Sequence, residues 1–128
     1  MNFKEATNAH TDWKIRLRGA ISENSTLDLD AIARDDCCEL GRWLHGPSKA
    51  RYGALPAHGA CLVAHARFHF RAADVAATIN ARNYREAEQM LGAGTQYALA
   101  SREIVFAIET LRRQIGEYNT AVGGSAEA

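Results

Sequence analysis

His65 and His69 stand four residues apart. On a helix that spacing puts two imidazoles on one face, a turn apart, where both rings reach a common point just off the helix. A third imidazole, His10, falls on the apolar seam of a separate segment. An imidazole inside a bundle needs both ring nitrogens satisfied, or it costs stability. Three such rings multiply the cost, and one metal ion removes it by accepting a nitrogen from each. The fourth donor is Cys38, at the start of the expected short helix Cys38–Leu44. A helix N-terminus favours a thiolate, and a bound metal lowers the thiol pKa further. Three nitrogens and one thiolate form a closed tetrahedral set suited to Zn2+.

Taken singly, each of these residues also fits a plainer role as a surface or core side chain. His58 shares the helical spacing and is a rival ligand, but it begins its helix and is expected to face solvent. His45 reads as part of a helix stop. Cys37 and Cys61 read as small structural hydrophobes, and Trp13 and Trp43 as core anchors. Asp12 and Asp74 are the candidates for orienting the histidines through their second nitrogens.

These side chains need rods to hold them. Phe3, Ala6, His10, Trp13, Leu17 and Ala20 recur at alternating steps of three and four, which predicts a bundle helix over about Asn2–Ile21. Ser22–Asp30 is turn-rich. A short helix over Leu29–Arg34 with Asp28 as cap comes next, then the cysteine helix, which His45-Gly46-Pro47 stops. Ser48–Leu55 reads as a connector with one helical turn. Pro56 suits a first helical position. From there His58, Leu62, His65, His69, Ala72, Ala76 and Ile79 mark a second long seam. A tight turn is expected at Asn80–Asn83, with Asn83 and Glu86 in a capping box. One helix is then expected over Tyr84–Gln114, locally weakened by Gly92 and Gly94. The sum is an all-α, four-helix-bundle-like domain over residues 1–115, with short additional helices carrying the cysteine motif. Residues 116–128 read as a disordered tail.

Composition agrees with this plan and narrows the function. Of 128 residues, 47% are hydrophobic and only two are proline, an ordinary helical globular make-up. Fifteen basic and fifteen acidic residues cancel, and no basic stripe stands out, so a nucleic-acid partner is not expected. No apolar run approaches the ~18 residues that span a bilayer, and the first residues carry no signal-peptide pattern. No membrane association and a cytoplasmic location are therefore expected. Three cysteines, two of them adjacent, make no disulfide framework. A catalytic role is not expected either. Four donors fill the sphere, no glutamate takes the His-Glu-x-x-His position, and the seams lack the carboxylates of a di-iron bundle.

The run Cys38-Glu39-Leu40-Gly41-Arg42-Trp43 resembles the cysteine signature of the chemoreceptor zinc-binding domain family. His10-x-x-Trp13 and His65-x-x-Phe68-His69 are similar to that family's first histidine and its histidine pair. The resemblance covers about Phe3–Ile115. It implies zinc held by His10, Cys38, His65 and His69 in a cytoplasmic, largely helical homodimer. It also implies a partner output module, a chemoreceptor signalling helix or a diguanylate cyclase. That output would respond to zinc occupancy, or to oxidation of the zinc-bound cysteine by hypochlorous acid. No such module is evident in the sequence, which reads either as a piece of a longer protein or as a stand-alone member whose signal passes to a separate partner or serves another role. A purely structural zinc in a stand-alone interaction module is the alternative.

Overall fold

In the computed structural model, residues 1–123 are described. The chain opens with α1 (Phe3–Thr11) and α2 (Trp13–Glu23), then three short helices, α3 (Leu29–Ala33), α4 (Glu39–His45) and α5 (Pro47–Tyr52). The long α6 (Pro56–Asn80), the short α7 (Tyr84–Met90) and the long α8 (Gln96–Ala121) complete it. The described residues form an all-α bundle, as expected.

The first rod is divided at Asp12, which nevertheless keeps helical angles. The Thr11 hydroxyl donates back to the Asn8 carbonyl at 3.0 Å, a bond that competes with the helical ladder. The apolar seam survives the irregularity. Ala6, His10, Leu17 and Ala20 are buried, and Phe3 and Trp13 half-buried.

α6 and α8 lie antiparallel. The Gln114 side chain accepts from the Ala57 N–H, and Arg67 pairs with Glu103 further along. α6 is buried on two sides. Its expected seam is buried except for half-exposed Leu62, and a second row, Ala57, Cys61, Ala64, Phe68 and Val75, is buried as well. The reason is its central place: α8 packs on one side, and α2, α3 and α4 on others. Burying each large aliphatic or aromatic side chain stabilises by about 1.5–3 kcal/mol. Phe68, Ile104, Ile108 and Leu111 therefore dominate this seam.

The long final helix expected over Tyr84–Gln114 is two helices. Gly94 takes φ +80°, which only glycine adopts freely, and breaks the rod. Thr95 then starts a new one, its hydroxyl accepting from the Ala98 N–H at 3.2 Å. The other end differs too. α8 continues past Gly116 to Ala121, because Ile115 is buried and the Tyr118 ring packs edge-on to Tyr52 at 5.9 Å. The expected tail therefore does not begin at Gly116, and residues 124–128 of it lie outside the described residues. The Asn83–Glu86 capping box does not form. Asn83 is the N-cap of α7 but makes no side-chain cap bond.

Two devices fix the short elements. Asn80, at the end of α6, brackets Leu27: its Oδ1 accepts from the Leu27 N–H at 2.8 Å, and its Nδ2 donates to the Leu27 carbonyl at 2.9 Å. Gly41 lets the 35–36 backbone lie directly on α4, where a Cβ would come within 2.0 Å of the Asp35 carbonyl oxygen. The glycine of the cysteine motif is thus a packing requirement, and it seats Cys38 beside α6.

Candidate metal centre

Three elements meet at one point. His10 comes from the last turn of α1, Cys38 from the N-cap of α4, and His65 and His69 from successive turns of α6. Their donor atoms all lie within 4.8 Å of one another. His65 Nε2 is 3.1 Å from His10 Nε2 and 3.0 Å from His69 Nε2. Cys38 Sγ is 3.1 Å from His65 Nε2, 3.7 Å from His69 Nε2 and 3.9 Å from His10 Nε2. The three rings are mutually edge-on, and Phe68 packs edge-on to His10 and His69. All three histidines are buried, and Cys38 is half-buried.

The second nitrogens decide the chemistry. His10 Nδ1–H donates to the Ala6 carbonyl at 2.7 Å, and His69 Nδ1–H to the Ile32 carbonyl at 2.9 Å. A neutral ring that donates from Nδ1 carries a bare lone pair on Nε2. Two lone pairs, a third ring and a sulfur therefore face one small space. Protons do not resolve this. Burial, the leading cause in each case, holds His10 and His69 below the ordinary imidazole range and pushes His65 down to about 2. A cation does resolve it. Tetrahedral zinc, with bonds of ~2.0–2.3 Å, places its donors roughly 3.3–3.6 Å apart. Five of the six donor separations, 3.0–3.9 Å, bracket that range, and the sixth, between His10 and His69, lies within 4.8 Å. The residues present fit the ion.

Several expectations need correction. Carbonyls of Ala6 and Ile32, not Asp12 and Asp74, orient His10 and His69; Asp74 pairs with Arg71 instead. His65 Nδ1 is buried with no partner among the described residues. The Cys38 sulfur does accept from the Gly41 N–H at 3.4 Å, as a helix start provides. Burial outweighs that bond, however, and the thiol sits above its usual range, so the protein alone does not make a thiolate. His58 is not at solvent and is not beside the cluster. It is buried, with Nε2 2.9 Å from Ser48 Oγ, whose hydroxyl donates to the Trp43 carbonyl. Cys37 is exposed rather than packed, whereas Cys61 is fully buried and its thiol is pushed up to about 12. Trp13 and Trp43 are only half-buried. Arg16 covers one ring and Phe3 packs edge-on to the other. His45 ends α4, its ring 3.4 Å from an Asp35 carboxylate oxygen. Sequence reasoning missed Ser48, whose only signal was a lone serine ten residues before a histidine.

Fold and site together define an all-α domain built around a cluster of three buried imidazoles and one half-buried sulfur, a donor set that suits a metal ion. Residues 10–76 match the chemoreceptor zinc-binding domain family, and the chain belongs to that family. It is thus a zinc-binding signalling domain, and its cofactor is zinc. The matched span starts at His10 and encloses Cys38, His65 and His69. Neither a search of curated proteins nor one of solved structures finds a match. Among the described residues, no helix is long and apolar enough to cross a membrane.

Proposed function

We propose that His10, Cys38, His65 and His69 are the ligands of one zinc ion. Through that ion the domain regulates a signalling output, of a chemoreceptor or of a diguanylate cyclase, in the cytoplasm. The observation that carries this reading is the convergence of the three Nε2 atoms and the Cys38 sulfur on one point. Zinc there ties α1, α4 and α6 together. Losing it leaves buried lone pairs facing each other, so α1 and α4 loosen from α6. Cys38 rides on the shortest of these elements. Oxidation of its sulfur by hypochlorous acid removes the thiolate and weakens the site. The role is regulatory and not catalytic: four protein donors leave no open position, and Ala66, Arg67 and Phe68 between the paired histidines supply no general base.

The domain acts as a homodimer. Val63 and Phe70 on α6, and Leu99 and Phe106 on α8, are exposed, with Phe106 at 70% and Phe70 at 58%. With α6 and α8 antiparallel and Arg67 opposite Glu103, Val63 falls at about the level of Phe106 and Phe70 at about that of Leu99. One apolar stripe across both helices is the surface a second copy covers.

A structural role for the same ion is the second reading, favoured by the complete burial of His65. Metal analysis tests the site, and mild chelation separates the two roles. The wild-type chain is expected to hold one zinc per chain, and Cys38→Ala to retain it more weakly. Reversible change of shape under a mild chelator supports the sensor. No metal in protein purified without chelators contradicts the reading.

A further inference from the structure

Cys37 is exposed, adjacent to Cys38, and absent from the metal cluster. Both thiols border one cavity of about 320 Å³, which is also lined by His69, Ile32, Trp13 and Arg34. Of the four clustered residues, only Cys38 and His69 line this cavity, so a small oxidant entering it meets the sulfur and not the deeper rings. Residues 35–38 form bends with no helix or strand, and among the described residues the Cys37 thiol hydrogen-bonds to Asp36, 3.6 Å away. Its backbone carbonyl accepts from the Arg42 guanidinium.

We infer that Cys37 is the resolving thiol for Cys38. The inference rests on the reading that Cys38 binds zinc and is the oxidised sulfur. The Cys38 thiolate takes an oxygen from hypochlorous acid, giving a sulfenic acid and chloride, and zinc leaves. The Cys37 thiol then attacks the Cys38 sulfur. An S–S bond forms, the S–O bond breaks, and the hydroxyl departs as water with the Cys37 proton. Adjacent Cα atoms are ~3.8 Å apart, below the ~4.4 Å at which unstrained disulfides begin. Such a bond is strained, and strained disulfides are readily reduced. Cys37 thereby diverts Cys38 from the irreversible sulfinic acid and makes zinc loss reversible by a dithiol.

Tryptic cleavage after Arg34 and Arg42 leaves both cysteines in one peptide, 35–42. The zinc-loaded chain is treated with a small excess of hypochlorous acid, about two to three equivalents, enough to carry an unprotected sulfenic acid on to sulfinic acid, and mapped by mass spectrometry, beside Cys37→Ala. In the wild type this peptide is expected to become two hydrogens lighter, and zinc binding to return after dithiothreitol. In Cys37→Ala zinc still leaves, but the peptide gains oxygens, and zinc recovery falls several-fold. A wild-type peptide that gains oxygens without losing hydrogens overturns the inference and leaves the redox reading standing. So does a link from Cys38 to Cys61, or a Cys37 link between chains. An unoxidised Cys38 that keeps its zinc overturns both.

Discussion

His58 and the cluster of His10, His65 and His69 are two solutions to the same problem. Each buries imidazoles almost completely. Near the start of α6, His58 finds a neutral partner: its Nε2 meets Ser48, and Ser48 passes the bond to the Trp43 carbonyl. Two to three turns further along the same helix, the Nε2 atoms meet only each other and a sulfur. The first arrangement is complete with protein atoms alone. The second is not, and that incompleteness, more than burial by itself, supports the cation site proposed above.

The contrast is most easily broken at its centre. His65 sits about 3 Å from each of the other donors. His65→Ala is expected to abolish zinc retention and to lower stability by about 3 kcal/mol or more, through the lost ion and the cavity left behind. Zinc content and urea unfolding read both effects. At the other end, Ser48→Ala strands the His58 nitrogen and should cost about 1–3 kcal/mol, with zinc stoichiometry unchanged. Zinc loss in this variant would merge the two regions into one network.

Acid sharpens the comparison further. His10, His58, His65 and His69 are all held below the ordinary value, chiefly by burial. The unfolded chain therefore takes up protons that the folded chain refuses, and stability falls as pH drops. In the zinc-free chain the loss should begin near pH 6.5, at up to about 1.4 kcal/mol per pH unit for each such ring. Unfolding midpoints at pH 7.5 and 5.5 measure it; equal midpoints would contradict the burial described. The smallest effect is expected at the surface. Arg18→Ala breaks a half-exposed pair with Glu88 and should cost under ~1 kcal/mol, with no change in zinc.

The sequence revealed this site more clearly than its surroundings, for physical reasons. Helical spacing is a short-range signal, so the seams of the first rod and of α6, and the position of His65 over His69, could be read directly. The glycine break is not legible in the sequence, because Gly94 acts through a backbone angle that a periodicity of apolar residues does not register. The partners of His10 and His69 were misread because they are backbone carbonyls, which every residue offers and no residue type signals. His58 was placed at solvent because the short α5 that covers it presents Ser48 by tertiary packing alone. Cys37 and Cys38 look alike in the chain. They differ in the fold because the Cys38 sulfur faces His65 and His69 of α6, whereas Cys37 is exposed.

The central claim is that imidazoles from two rods and one sulfur share an ion. X-ray absorption at the zinc edge of the purified chain tests it most directly. The account predicts three nitrogen neighbours at about 2.0–2.1 Å and one sulfur at about 2.3 Å, the sulfur vanishing in Cys38→Ala. A wild-type spectrum with no sulfur neighbour, or with two, would contradict it.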